Sequence, residues 1–117
     1  MKTLMLTIRN EQIEVFRQIE LEKFVKEMVE QVEEDYNEYF SKNGKLRIEK
    51  MVRSIIDFGE KYSIKKRYNI ADLIVLEIED GFLEKVENSR KLQKFLSFTF
   101  RNEDEKMDRF IDVLDKN

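Results

Sequence analysis

The chain has 117 residues, of which 41% are apolar and 40% charged, and its net charge is −3. It holds no histidine and no cysteine, which excludes imidazole and thiolate chemistry, disulfide stapling and thiolate metal sites. The acidic total argues against a general nucleic-acid binder, and no run approaches the roughly 18 apolar residues that span a bilayer.

A chain this long suits one domain, 1–117, with a modest core. Disordered chains are short of apolar residues, and this one is not. The opening Met1–Arg9 carries one lysine and a short apolar run, Leu4-Met5-Leu6, too short for a signal peptide. The expected location is the cytoplasm.

The elements are read in chain order. A long first helix is predicted from Asn10, an acceptable N-cap, with Glu11 and Glu14 at the positive end of its dipole. Ile13, Phe16, Leu21, Phe24, Met28, Val32, Tyr36 and Tyr39 recur at helical spacing. It should stop before Ser41-Lys42-Asn43-Gly44, whose Asn-Gly allows left-handed geometry. A second helix spans about Lys45 to Tyr62, with Ile48, Met51, Val52, Ile55, Phe58 and Tyr62 on its apolar face. Gly59 lies on that side; it either admits the close approach of a neighbouring helix or ends the helix early at Phe58.

The run Leu73–Ile78 has the composition of a buried strand as well as of a buried helix. Only Leu4–Ile8 and Phe98–Phe100 could pair with it as strands. A helix from about Asn69, as N-cap, to Glu79 is therefore the reading adopted, closed by Asp80-Gly81. A fourth helix covers about Ser89 to Phe98, with Leu92, Phe95 and Leu96 inward. The last starts at Glu103, with Asn102 as N-cap and Glu105 as its partner, and carries Met107, Phe110, Ile111 and Leu114 on one stripe. The fold predicted is all-α: a single small domain of about five helices in an orthogonal or bundle-like array.

Charge is unevenly placed. Residues 11–38 carry ten acids and three bases, 42–67 nine bases and three acids, and 68–88 six acids and one base. The basic run Lys65-Lys66-Arg67 precedes a helix start, where positive charge does nothing for the dipole. That placement hints at an acidic partner. With Tyr62 and Tyr68 nearby, the run also has the interleaving that binds phosphates and stacks bases. Phe98 and Phe100 continue past the helical stripe. They either cap the core or form an exposed partner-binding patch.

The catalytic candidates are thin. Glu77, Glu79 and Asp80 cluster beside Gly81, with Asp57 and Glu60 upstream, but 25 acidic residues produce such clusters by chance. Ser63-Ile64-Lys65-Lys66 has the Ser-x-x-Lys letters without supporting motifs. No Gly-rich phosphate loop is present. No catalytic residue, metal site or cofactor is assigned.

Met5-Leu6-Thr7-Ile8-Arg9-Asn10-Glu11-Gln12 resembles the Met-Leu-x-Ile-Arg-x-Glu-Gln opening of a family of small bacterial proteins. Tyr62-Ser63-Ile64 resembles the family's Tyr-Gly-Ile turn, with serine in place of glycine. Asp80-Gly81-Phe82 sits where the family has a Phe after a short polar turn. Lys106-Met107-Asp108-Arg109-Phe110 is similar to an Arg-Met-Asp-Arg-Leu segment in its final helix. Leu83-Glu84-Lys85-Val86 replaces the family's Asp-Pro and Pro-Trp segment. Such proteins occur near type VI secretion and polymorphic-toxin genes. The resemblance implies a non-enzymatic accessory factor that binds a secreted effector, a toxin or a secretion component: an effector chaperone or adaptor, or an immunity protein. The partner-binding candidates are those read from the chain's own charge and aromatics, Lys65, Lys66, Arg67, Phe98 and Phe100. The alternative is a small nucleic-acid-binding or regulatory module using the basic connector 65–67.

Overall fold

The computed structural model describes the backbone of residues 2–116 and side chains from residue 18 to 116. It is all-helical. Seven helices are present among the described residues: α1 Lys2–Asp35, α2 Asn37–Asn43, α3 Lys45–Lys61, α4 Arg67–Asp80, α5 Phe82–Glu87, α6 Arg90–Ser97 and α7 Glu103–Lys116. About five were predicted. One extra helix comes from a break in the first helical run, and the other is the short α5. The chain divides into two compact units, residues Met1–Glu49 and Lys50–Asn117.

In the first unit α1 runs through Asn10, so that residue is not an N-cap. The apolar stripe as predicted included Ile13 and Phe16, whose side chains lie outside the described residues. The buried positions are Phe24, Val25, Val29 and Val32, with Leu21 and Met28 half-buried. The helix breaks at Tyr36 (φ −131°, ψ 53°). The Asn37 side-chain amide donates to the Glu33 carbonyl at 3.4 Å, the acceptor an uninterrupted helix would give to the N–H of residue 37. Asparagine competes with the backbone in this way, which sequence periodicity does not register. A stop before Ser41 was predicted, but α2 runs on through Ser41, Lys42 and Asn43 and ends at Gly44, whose N–H bonds the Phe40 carbonyl at 2.8 Å.

In the second unit α3 buries Val52, Ile55 and Phe58 along one face and continues past Gly59. A Cβ at Gly59 would stand 2.2 Å from the Ile64 carbonyl oxygen and 2.7 Å from Ile70 Cδ1. The nearest neighbour is thus the chain's own turn after α3 rather than another helix, with Ile70 of α4 beside it. The turn is a Schellman cap. Ile64 N–H bonds the Gly59 carbonyl at 2.7 Å, Ser63 N–H reaches the Glu60 carbonyl at 3.5 Å, and Ser63 has φ 60°. Ile64 is fully buried beneath it. A non-glycine residue in the left-handed region costs on the order of 1 kcal/mol. Ser63→Gly is expected to stabilise the protein by about 0.5–1 kcal/mol, the larger entropy of glycine in the unfolded chain limiting the gain. A rise in the urea midpoint at unchanged slope checks this; a fall would show that the Ser63 side chain contributes more than its backbone costs.

The 73–78 run is helix, within α4, with Leu73 and Ile74 buried. The α4 start differs from expectation. It lies at Arg67, with Lys66 at the N-cap in extended backbone and no side-chain cap. Asn69 is inside the helix and only 3% exposed. Gly81, at φ 63°, ends α4 and begins α5, and Glu77 Oε2 accepts from Leu83 N–H at 2.9 Å. This tight reversal drives Phe82 into the core. There Phe82 meets Phe58 edge-on at 5.1 Å and Phe110 at 6.0 Å, with Phe58 4.9 Å from Tyr62. The α6 start is capped by Ser89, whose Oγ accepts from Leu92 N–H. Asn102 caps α7 through Glu105 N–H at 2.8 Å. The carboxylate of Glu105 lies 3.4 Å from Arg109 Nε.

Candidate functional site

Two adjoining features of the second unit gather most of its polar chemistry: a clasp that ties α4 to α7, and a cavity beside it. The clasp forms because α7 begins on three consecutive acids, Glu103-Asp104-Glu105, next to the connector Lys65-Lys66. Glu103 Oε1 accepts from Lys65 N–H at 2.8 Å, and Oε2 accepts from Lys66 N–H and Asn69 Nδ2, both at 2.7 Å. Asp104 Oδ1 accepts from Tyr68 Oη at 2.6 Å and Asn69 Nδ2 at 3.0 Å. Its Oδ2 lies 3.2 Å from Lys66 Nζ. Glu103 thereby takes the amides of Lys65 and of the N-cap residue Lys66 at the α4 start, where a cap by Asn69 was expected. Asn69 is buried because it bridges both carboxylates.

The electrostatics follow from these bonds. Partial burial pushes Glu103 up, but the Lys65 and Lys66 amides and Asn69 outweigh it and hold the carboxyl below its ordinary value. Bonds from Tyr68 and Asn69, then Lys66, hold Asp104 below its own. Tyr68 and Asp104 raise Lys66. A carboxylate with a depressed folded-state pKa contributes stability above its unfolded pKa and loses it as pH falls through the folded value. The clasp is therefore intact at neutral pH and weakens progressively below the ordinary values, 4.5 for Glu103 and 3.8 for Asp104. Denaturant midpoints measured down through that window are expected to fall steeply for the native chain and less steeply for Glu103→Gln. Parallel acid limbs in the two proteins would show that Glu103 is not a source of the pH dependence.

The cavity, of about 430 Å³, opens between the α3 end, the 97–102 segment and the α7 start. Lys61, Phe98, Phe100, Glu103 and Lys106 are among its lining residues. Phe98 is 64% exposed. Phe100 is half-buried and leans on Phe95 at 5.3 Å. Lys106 is only 7% exposed. Its ammonium donates to the Tyr62 carbonyl, at the negative end of α3, and sits 5.9 Å from the Phe100 ring centre. Burial pulls the Lys106 pKa below the ordinary lysine value, with the Glu103 charge opposing that shift.

The sequence-predicted partner residues fall into two groups. Lys65 and Lys66 belong to the clasp, and their acidic counterpart is supplied by the same chain. Arg67 begins α4 beside them and is exposed. Phe98 and Phe100 line the cavity. Glu103, Asp104, Asn69 and Lys106 were not singled out as site residues. Only the acidic run 103–105 left a trace, since it matches the basic run 65–67 in size and opposes it in sign. Among the described residues, no group of three or more His, Cys, Asp or Glu is placed to hold a metal ion. Glu77 caps α5, while Glu79 and Asp80 are exposed. Among the same residues no helix is long and apolar enough to cross a membrane. No protein-family profile, curated protein or solved structure matches the chain.

Proposed function

We propose that this chain is a non-enzymatic protein-binding factor of a bacterial type VI secretion or polymorphic-toxin locus, acting in the cytoplasm as an effector chaperone or adaptor or as an immunity protein. The observation that supports a binding surface is Phe98, a large aromatic left 64% exposed at a cavity rim. Phenylalanine is ordinarily buried, and aromatics at partly enclosed rims anchor protein interfaces. The kind of locus rests on the resemblance carried by Met5–Gln12, Tyr62–Ile64 and Lys106–Phe110. Binding of nucleic acid through Lys65, Lys66 and Arg67 has less support, because Lys66 is already engaged by Asp104.

Co-expression with the products of neighbouring genes, followed by size-exclusion chromatography, tests the reading. One neighbour is expected to co-elute, and Phe98→Ser is expected to weaken that complex by about tenfold or more, as loss of an interface anchor does. Co-elution with none of the neighbours would sink the proposal. An immunity protein rescues cells from its toxin, whereas a chaperone raises the stability or export of its effector.

A further inference from the structure

Lys106 is the most constrained cation of the second unit. A buried ammonium is costly unless its charge and its three donors are satisfied. Among the described residues it makes one hydrogen bond, to the Tyr62 carbonyl. Its nearest acid, Glu103, lines the same cavity but is committed to Lys65 N–H, Lys66 N–H and Asn69. The rest of the wall is mixed: Lys61, serine, threonine and asparagine residues, and on the apolar side Leu96, Phe98 and Phe100. Its 430 Å³ falls within the roughly 300–1,000 Å³ of small-ligand sites. Another cavity, in the first unit, is lined by four glutamates and two lysines without an aromatic ring, so this combination is not a general property of the surface.

We propose that the cavity binds an organic carboxylate with an apolar or aromatic body, its charge set against Lys106 Nζ and its body against Phe98 and Phe100. One buried cation suits one negative charge, and the rings suit an apolar group rather than an inorganic ion. The ammonium acts as a point charge with donors to spare, and a carboxylate offers it charge-assisted hydrogen bonds. An anion there offsets the burial that pulls Lys106 toward its neutral form. The carboxylate belongs either to a free small acid or to the C-terminal residue of a peptide. The proposal extends the protein-binding reading, since Phe98 serves both, yet the two fail separately because its probes are not neighbouring gene products.

The test uses the full chain with four probes: phenylacetate, phenylacetamide, a short peptide ending in a free phenylalanine carboxylate, and the same peptide amidated. Binding is followed by ligand-observed NMR and by thermal shift. At least one acid is expected to bind about tenfold or more tightly than its amide, equivalent to about 1.4 kcal/mol. Phenylacetate binding identifies a small acid as sufficient, and binding of the peptide acid alone identifies a chain terminus. Lys106→Met is expected to abolish the preference for acid over amide. Should that variant not fold, Phe98→Ala, at an exposed position, is expected to weaken acid binding without loss of fold. Equal binding of acids and amides, binding by neither acid, or an unchanged preference in folded Lys106→Met would overturn the proposal. So would unchanged binding in Phe98→Ala.

Discussion

Phe82→Ala is expected to cost about 3–5 kcal/mol of unfolding free energy, the range for deleting a fully buried ring. Phe82 is 0% exposed and makes edge-on contacts with Phe58 and Phe110. Each such aromatic pair adds about 0.5–1.5 kcal/mol beyond area burial. The site also has little means of collapsing. Gly81 fixes the reversal into α5, and Phe110, itself 0% exposed, lies opposite on α7. The cavity left behind would stay largely open, which is what places a substitution at the upper end of its range. A small domain has only about 5–15 kcal/mol in total, so the variant should unfold at markedly lower urea. The exposed Phe98 provides the control: Phe98→Ala should change stability by no more than about 0.5 kcal/mol. Similar midpoints for the two variants would contradict the burial assigned to Phe82.

Gly59→Ala carries the second large effect, and propensity alone gets its sign wrong. Alanine is favoured over glycine inside a helix by about 1 kcal/mol. Here the added Cβ would lie 2.2 Å from a backbone oxygen, that of Ile64. No rotamer change relieves a clash with main chain, so the cap must open or α3 must fray. Net destabilisation of about 2–3 kcal/mol is expected, in the range of overpacked sites. The consequence travels along the chain. Ile64 precedes Lys65 and Lys66, whose amides hold Glu103, so displacing the turn loosens the clasp between α4 and α7. Amide hydrogen exchange at Ile64, Lys65 and Lys66 should accelerate more than at Val52 in the middle of α3. A stabilised Gly59→Ala protein would show that the turn yields at no cost.

The helices of the second unit were legible from spacing because their apolar positions repeat near 3.6 residues. Val52, Ile55 and Phe58 on α3, and Met107, Phe110 and Leu114 on α7, are buried as that period requires. Caps written in local letters were legible too, Ser89 and Asn102 among them, since a cap and its amide lie within three residues. Two boundaries were misread where a polar side chain acted outside its local pattern. Asn37 takes a carbonyl from the α1 ladder. Asn69 has the letters of a cap but is used as a buried bridge.

The sequence by itself determined that the chain is helical, that it lacks imidazole and thiol, and that a basic run 65–67 and an acidic run 103–105 are present. These are properties of composition and short-range period. Only the tertiary structure decided that the two runs meet. Glu103 and Asp104 reach Lys65, Lys66 and Asn69 from 34 to 38 residues away, a pairing set by how α7 docks rather than by any local spacing. It also decided that Phe98 stays in solvent while Phe82 is buried, and that Lys106 is buried while Lys65 and Lys66 are exposed. Burial depends on which faces meet. Two phenylalanines, or two lysines, are equivalent until the helices that carry them are packed.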